Sequence, residues 1–162
     1  MTEESAIERM PLTIRRVTAG DARLLFDWRN DPETRMQSGT TEAFEWGEHV
    51  AWLEKSLKNS RRILCIAEND AGTPIGTVRA DLREDGFTEI SYTIAPNWRG
   101  KGLSKPTVLS FVKTFLQGKK LAAKIKKGHA PSESVARALS LSPYAETPSD
   151  NPDDPRPLVE WR

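Results

Sequence analysis

Two glycines, Gly100 and Gly102, lie in a short turn between an alternating apolar strand and an amphipathic helix. The strand stops before Pro96, and the helix follows from about Ser104. The first amides of a helix have no partner inside it, so they are free to donate to a ligand. Because the helix dipole is positive at the same end, such a turn binds anions, phosphates in particular. We therefore predict that a phosphate-bearing ligand is seated on this turn.

Three kinds of phosphate-binding loop can be compared with it. A P-loop requires G-x-x-x-x-G-K-S/T, and the chain contains no such string. A dinucleotide-binding loop requires G-x-G-x-x-G, but Lys105 stands at the third glycine position, and no βαβ unit supplies an acidic ribose contact. The third kind is the acetyl-CoA motif of the GCN5-related N-acetyltransferases (GNAT), written Q/R-x-x-G-x-G/A. The segment Arg99-Gly100-Lys101-Gly102-Leu103-Ser104 resembles this motif, with Ser104 at the last position.

The resemblance extends over about residues 11 to 162, nearly the whole chain. It implies an α+β fold with a GNAT-like central mixed, mostly antiparallel sheet flanked by helices, and it implies acetyl-CoA as the acetyl donor. Consecutive backbone N–H donors would hold the pyrophosphate, since charge-assisted hydrogen bonds contribute about 1.5–3 kcal/mol each. The residues implied to bind the coenzyme are Ile94, Ala95, Arg99, Gly100, Lys101, Gly102, Leu103, Ser104, His129 and Ser132.

A glutamate on the strand before the motif is the general base in many members of this family. Here that residue is Glu89, and alternation places it on the face opposite Ile90, Tyr92 and Ile94. The resemblance implies that Glu89 accepts a proton from the acceptor amine, through water. It also implies that an N–H group at the strand end, Ile94–Ala95, polarises the thioester carbonyl. The alternative for Glu89 is a solvated glutamate on a strand.

A second segment, Gly128 to Ser132, resembles the N-x-x-S segment of the family, with His129 in place of asparagine. The tyrosine that protonates the departing thiolate in the family would stand at Ala136, so no general acid is assigned. Weaker candidates for that role are Ser91, Tyr92 and Tyr144. These departures leave open a coenzyme A-binding domain without turnover.

The stretch from Trp28 to Arg35, W-R-N-D-P-E-T-R, resembles the GNAT subgroup that acetylates amino sugars on nucleotide carriers, and Glu48 to Trp52 fits the same subgroup. The residues implied to bind the substrate are Trp28, Arg29, Asn30, Arg35, His49 and Arg79. Arg29 and Arg35 would contact a nucleotide diphosphate, and Trp28, Trp46 or Trp52 would stack on a ring. The alternatives are core positions for Trp46 and Trp52, an ion pair for Arg29, a satisfied surface position for His49 and a cross-strand pair for Arg79.

The function predicted from these residues is acetyl-CoA-dependent acetylation of a small-molecule primary amine, most simply that of a nucleotide-linked amino sugar. One alternative keeps the chemistry but changes the acceptor to a protein N-terminus, as in ribosomal-protein acetyltransferases. The other is the non-catalytic coenzyme A-binding domain. No metal is expected, because the only soft ligands, His49, His129 and Cys65, have a spacing that matches no known site.

The elements that position these residues are predicted in the order β-α-α-β-β-β-α-β-α-β. The first strand is Leu12 to Val17 and a helix follows Gly20, which Asp31-Pro32 ends. One more turn is expected over Glu33 to Met36, and a polar loop over Gln37 to Glu42. In a helix over about 45–58 the inward positions are Trp46, Val50, Leu53 and Leu57.

Three strands over 63–67, 73–81 and 88–95 form a meander, with a hairpin at Asp85-Gly86. The helix after the glycine turn runs to about Gln117, with Val108, Leu109, Val112, Phe115 and Leu116 inward. A strand over 121–126, a helix over 132–139, a loop over 144–157 and a closing strand over 158–161 complete the chain. This pattern is α+β and predicts a single domain over residues 11–162, preceded by a flexible leader of residues 1–10.

The composition excludes several classes of protein. A formal net charge of +1 creates no field that would attract nucleic acid or an anionic membrane. One cysteine cannot form an internal disulfide, and the longest apolar run, Ile63 to Ala67, is far shorter than the roughly 20 residues of a membrane span. The first ten residues do not form a signal peptide. We therefore expect a cytoplasmic monomer or homodimer.

Overall fold

The computed structural model describes residues 11–37 and 42–162. The predicted leader and most of the predicted loop between Gln37 and Glu42 lie outside these residues. The strands are β1 Thr13–Arg16, β2 Arg62–Glu68, β3 Pro74–Leu82, β4 Thr88–Ile94, β5 Leu121–Lys126, β6 Pro143–Thr147 and β7 Leu158–Trp161. The α-helices are α1 Ala22–Asn30, α2 Pro32–Gln37, α3 Trp46–Lys58, α4 Ser104–Phe115 and α5 Ala130–Ala138, and 3₁₀ turns cover Ala19–Asp21 and Pro96–Trp98.

The seven strands form one sheet in the order β1-β2-β3-β4-β5-β7-β6. All neighbours are antiparallel except β4 and β5, which are parallel because α4 provides the crossover between them. These two strands pair only at Thr88 with Leu121 and at Glu89 with Ala122, and beyond that point they separate. The predicted fold class, α+β with a mostly antiparallel sheet and flanking helices, is confirmed. The separation of β4 from β5 leaves backbone groups of both strands without a partner strand.

The sheet buries both of its faces, one under each group of helices. On one face Cys65 and Val78 pack with Val108 and Phe111 of α4, and all four side chains are fully buried. On the other face Leu64 and Ile66 pack with Leu25, Trp28 and Leu53 of α1 and α3. Strand β2 is therefore buried on both sides, as its unbroken apolar run predicts.

The break after α1 is formed by Asp31 and Pro32. The Asp31 carboxylate accepts a hydrogen bond from the Thr34 amide at 3.1 Å and so caps α2, whose first position is Pro32. The helix break predicted at Asp31-Pro32 is thus confirmed. It places Arg29 and Asn30 at the end of α1, close to α3.

The predicted loop over 144–157 is wrong in its first part, because Pro143–Thr147 forms the edge strand β6 and pairs with β7. All five of its side chains are exposed, so no apolar alternation marks the strand. The β6 strand is held by backbone pairing, which residue types alone do not reveal.

Three residues predicted to face inward are exposed: Trp46 at 45%, Leu57 at 42% and Leu109 at 38%. In α3 the buried positions are His49, Leu53 and Ser56, so two polar residues take places that the apolar pattern assigned elsewhere. In α4 the buried positions are Thr107, Val108 and Phe111. In each helix a polar residue thus occupies a buried position, while an apolar residue of the predicted inward face is exposed.

Candidate active site

A cavity of about 1160 Å³ opens where β4 and β5 separate. Its walls come from β4, β5 and α5, and one end is formed by the glycine turn and the start of α4. The opposite end is formed by side chains of α1, α3 and β3, with Phe44 from the segment before α3. We call these the coenzyme end and the acceptor end. The cavity is large enough for a bulky ligand that extends from one end to the other.

The coenzyme end presents free backbone amides. Gly100 and Gly102 have φ angles of 72° and 73°, a conformation that favours glycine. The amides from Gly100 to Leu103 donate no hydrogen bond to any described residue. No side chain caps α4, whose third residue, Pro106, has no N–H group. A Cβ atom added at either glycine would meet no atom within 4 Å, so the turn is open on the side where a phosphate would lie.

Unlike the free amides of the glycine turn, the side chain of Arg99 is bound to other residues of the protein. Arg99 lines the cavity, but its guanidinium pairs with Asp31 at 2.7 Å and Glu33 at 3.0 Å and donates to the Thr34 hydroxyl at 2.6 Å. Arg99 therefore ties the turn to α2. Hydrogen bonds from Thr34 and Arg99 outweigh burial and hold the pKa of Asp31 below its usual value. Lys101 is exposed and is not among the lining residues, whereas Ser104 and Lys105 are.

The predicted second segment lies against β4. The Tyr92 hydroxyl donates to Ser132 Oγ at 3.1 Å, and Ser132 Oγ lies 2.8 Å from His129 Nδ1. Burial, together with the charge of Arg156, lowers the pKa of His129, and burial raises that of Tyr92. His129 and Ser132 are thus brought to the cavity wall together, and Ala136 lies in the same wall. The alternating pattern of β4 predicts that Tyr92 lies on the face of the strand opposite Glu89.

Glu89 lies at the point where β4 and β5 part. Its carboxylate pairs with Arg83 at 3.3 Å and with Lys124 at 3.6 Å, and its side chain is 24% exposed. Glu89 is not among the residues that line the cavity, although Ser91 on the same face of β4 is. A proton relay from the cavity to Glu89 would have to pass Lys124 and Ser91.

Alternate backbone N–H groups of β4 point into the gap between β4 and β5. The Ala95 amide donates to the Ile75 carbonyl at 2.8 Å, so Ala95 faces β3 and cannot polarise a ligand carbonyl. On the side of β4 that faces β5, the Thr88 amide donates to the Lys120 carbonyl at 2.7 Å. Because amides alternate along a strand, those of Ile90, Tyr92 and Ile94 point towards the gap, as Thr88 does. Of the predicted pair Ile94–Ala95, only Ile94 is placed to polarise a carbonyl.

At the acceptor end the guanidinium of Arg29 lies against two aromatic rings. It is 3.8 Å from the ring centroid of Phe44 and 3.9 Å from that of Trp52. Arg29 Nη1 donates to His49 Nδ1 at 2.9 Å. Burial, with the charges of Arg79 and Arg62, lowers the pKa of Arg29 to about 10, so the side chain is still protonated at neutral pH.

Most of the other residues predicted to bind the substrate lie outside the cavity lining. Asn30 holds Phe44 from both sides: its side-chain amide donates to the Phe44 carbonyl at 3.0 Å and its oxygen accepts from the Phe44 amide at 2.6 Å. His49 is fully buried and donates from Nε2 to the Ala22 carbonyl at 2.8 Å. Trp28 is a core residue, 7% exposed. Of the six residues predicted to bind the substrate, Arg29 and Arg79 line the cavity, whereas Trp28, Asn30, Arg35 and His49 do not.

Cationic side chains outnumber carboxylates in the cavity lining, but four of them, Arg79, Arg99, Lys124 and Lys126, are paired with carboxylates. Arg79 lies on β3 opposite Ser91 and pairs with Asp81 at 3.0 Å, and burial lowers its pKa although Asp81 opposes that effect. Among the described lining residues only Glu33 carries a carboxylate, and it is paired with Arg99. The six cationic lining residues are Arg29, Arg79, Arg99, Lys105, Lys124 and Lys126. Phe44 and Lys105 are not predicted as site residues, because nothing in the sequence pattern connects them to a ligand.

Other candidate chemistry is not supported by the described part of the chain. No group of three or more His, Cys, Asp or Glu side chains there could hold a metal ion. Cys65 is fully buried, and burial raises the pKa of its thiol to about 11, so it is an unreactive core residue. No described helix has both the length and the apolar character required to cross a membrane.

A profile of the acetyltransferase (GNAT) domain matches residues 11–141. The chain therefore belongs to the GNAT family and is an acetyl-CoA-dependent N-acetyltransferase. The coenzyme end fits this class, because its free amides and the separated strands offer donors to a pyrophosphate and to an extended amide-containing arm. The predicted family and class of activity are confirmed.

Similar solved structures share the fold at low sequence identity. Spermidine N-acetyltransferase from Vibrio cholerae, in complex with CoA and spermine, is 16% identical with a TM-score of 0.82, over 93% of each chain. Ribosomal-protein-alanine N-acetyltransferase from Brucella melitensis is 20% identical with a TM-score of 0.77, over 92% of this chain and 97% of that one. The protein yncA from Salmonella typhimurium, with its cofactor acetyl-CoA, is 17% identical with a TM-score of 0.76, over 93% of this chain and 92% of that one. No curated protein matches the chain by sequence.

Proposed function

We propose that this enzyme transfers the acetyl group of acetyl-CoA to the primary amine of a nucleotide-linked amino sugar. The observation that carries the choice of acceptor is Arg29, a cation that lines the acceptor end of the cavity and has no carboxylate partner among the described residues. A diphosphate-linked acceptor complements this charge. A polyamine such as spermine would bring several positive charges next to Arg29 and Arg79, which costs affinity.

The coenzyme would bind with its pyrophosphate on the amides from Gly100 to Ser104. Lys105 lies at the same end and would add a charge-assisted contact. The pantetheine arm would run between β4 and β5, next to the free amides of Ile90 and Tyr92. His129 and Ser132 would contact the arm from α5. Bound acetyl-CoA would supply the activated acetyl thioester.

The acceptor amine would attack the thioester carbonyl, whose oxygen the Ile94 amide would stabilise as charge develops. Glu89 would take the proton from the amine through water that passes Ser91 and Lys124. The coenzyme thiolate would leave and take a proton from solvent, since a free thiol has a pKa of only about 8.5. The two ion pairs of Glu89, with Arg83 and Lys124, would hold its carboxylate in position.

The test is a panel of acceptors assayed for release of coenzyme A: a UDP-linked 4-amino sugar, spermine and a peptide with an N-terminal alanine. We expect kcat/KM for the sugar nucleotide to exceed that for either of the others by about a hundredfold, or about 2.7 kcal/mol. A preference for spermine or for the peptide would overturn the proposed acceptor. Binding of acetyl-CoA without transfer to any amine would favour the non-catalytic alternative.

A further inference from the structure

Arg29 differs from the other arginines of the cavity in having no carboxylate partner among the described residues. Arg79 pairs with Asp81, and Arg99 pairs with Asp31 and Glu33. The one hydrogen bond of Arg29 to a described residue is that from Nη1 to His49. Its Nε and Nη2 groups are therefore free donors at the edge of a planar cation.

The aromatic rings decide from which direction Arg29 can be approached. The guanidinium carbon lies over both rings, 3.8 Å from the Phe44 centroid and 3.9 Å from the Trp52 centroid. A guanidinium stacked on aromatic rings keeps the N–H groups along its edge available to a ligand. That edge presents two parallel N–H groups, which match two oxygens of one phosphate group.

His49 determines how the guanidinium is rotated. Because its Nε2 donates to the Ala22 carbonyl, the neutral ring has an acceptor at Nδ1, and that acceptor binds Arg29 Nη1. His49 is fully buried and its ring stacks on Trp52, so packing restricts the movement of the ring. Asn30 holds Phe44 through both of its backbone groups. Residues of α1, α3 and the preceding segment thus hold the cation in place before any ligand arrives.

We propose that Arg29 is a preorganised phosphate receptor at the acceptor end, separate from the glycine turn, and that His49 is its positioning residue. The receptor binds a phosphate group of the acceptor, so it selects acceptors by a charge that is remote from the amine. This inference rests on the proposed function for the identity of the acceptor, but the receptor itself can be tested without acetyl transfer.

The test uses the protein saturated with coenzyme A, so that the glycine turn is already filled. Inorganic pyrophosphate and malonate are titrated into this complex by calorimetry. We expect pyrophosphate to bind at least tenfold more tightly than malonate. The receptor is overturned if pyrophosphate does not bind the complex, and its phosphate selectivity is overturned if malonate binds as tightly.

Arg29→Gln should weaken pyrophosphate binding at least tenfold and leave the affinity for coenzyme A unchanged. Arg29→Lys, which keeps the charge but not the two parallel donors, should fall between Arg29→Gln and the wild type. The matched control is Arg23→Gln, on the same helix, because Arg23 is largely exposed and does not line the cavity. Equal binding by Arg29→Gln and Arg23→Gln would contradict the proposal.

His49 is tested by a pair of substitutions. His49→Leu should weaken pyrophosphate binding as much as Arg29→Lys does, whereas His49→Asn, which restores an acceptor oxygen near Nδ1, should recover it to within about threefold. If the role of His49 were purely structural, both substitutions would weaken pyrophosphate binding equally. If Arg29→Gln loses pyrophosphate but the sugar nucleotide is no substrate, only the proposed acceptor fails. If the sugar nucleotide is acetylated with an unchanged KM by Arg29→Gln, only the receptor fails.

Discussion

The coenzyme end and the acceptor end are built from different parts of the chain. The coenzyme end is formed by main-chain N–H groups from one continuous stretch, Gly100 to Ser104, and by the edges of β4 and β5. The acceptor end is formed by side chains from α1, α3, β3 and the segment around Phe44. The donors of the first are set by backbone conformation, and those of the second by packing.

This difference has a consequence for specificity. Main-chain donors at the coenzyme end do not depend on the identity of the surrounding side chains, so substitutions elsewhere in the cavity leave them in place. The acceptor end depends on contacts such as that between Arg29 and His49, which a single substitution can remove. Proteins with the same fold can therefore share acetyl-CoA while their acceptors differ, as the names of the similar structures indicate.

The largest effect is expected at Glu89, which belongs to neither end and lies where β4 and β5 part. Glu89→Gln should lower kcat by about a hundredfold or more, the usual contribution of a general base, with little change in coenzyme affinity. Steady-state kinetics and a coenzyme titration measure both. Glu160→Gln is the matched control, because Glu160 also pairs with Arg83, at 2.8 Å, but lies outside the cavity lining. Unchanged turnover of Glu89→Gln would remove Glu89 from the mechanism.

The second largest effect is expected from a substitution confined to the coenzyme end. Gly102→Ala puts a Cβ into the space left for the phosphate and strains a left-handed residue by about 1–2 kcal/mol. We expect coenzyme affinity to fall at least about tenfold, as measured by calorimetry. Gly118→Ala carries the same strain, with a φ of 76°, away from the cavity. It should lose stability but keep coenzyme affinity, and an equal loss of affinity in both variants would contradict the assignment.

A change confined to the acceptor end should be smaller. Trp52→Leu removes one of the two rings that hold Arg29, a contact worth about 0.5–2 kcal/mol. We expect KM for the acceptor to rise about threefold to tenfold while KM for acetyl-CoA stays the same. Trp46→Leu, on the same helix but 45% exposed and outside the cavity, serves as control. The two ends are not separable if Trp52→Leu changes both KM values equally.

The smallest effect is a pH dependence of stability. Burial lowers the pKa of His49, which is hydrogen-bonded to Arg29, and of His129 in the cavity wall below the ordinary value of 6.5. The unfolded chain then binds more protons, so the free energy of unfolding should fall as the pH drops through about 6.5. The lowered pKa of Asp31 acts only at lower pH, below the ordinary carboxyl value of 3.8. Urea unfolding between pH 7.5 and 5.5 measures the slope.

Comparison of His49→Asn with His129→Asn then shows which histidine contributes more to the change of the unfolding free energy with pH. These are the two histidines of the chain, so the double variant should have almost no slope in this range. A slope that persists in the double variant would mean that other groups carry it.

The same difference between backbone and side chains explains what the sequence could predict. The glycine turn, the strand with Glu89 and the break at Asp31-Pro32 are local signals, and the structure has the predicted elements there. The arrangement of Arg29, Phe44 and His49 could not be predicted, because it joins residues that no periodic pattern connects. The edge strand β6 was missed since all its side chains are exposed, and the buried His49 displaced the expected inward face of α3.

The most direct test of the account is a crystal structure of the protein with coenzyme A. We predict that the pyrophosphate oxygens lie within about 3.2 Å of the amides from Gly100 to Ser104. The pantetheine arm should lie between β4 and β5. A coenzyme bound elsewhere, or a turn whose amides are filled by the chain's own groups, would contradict the account.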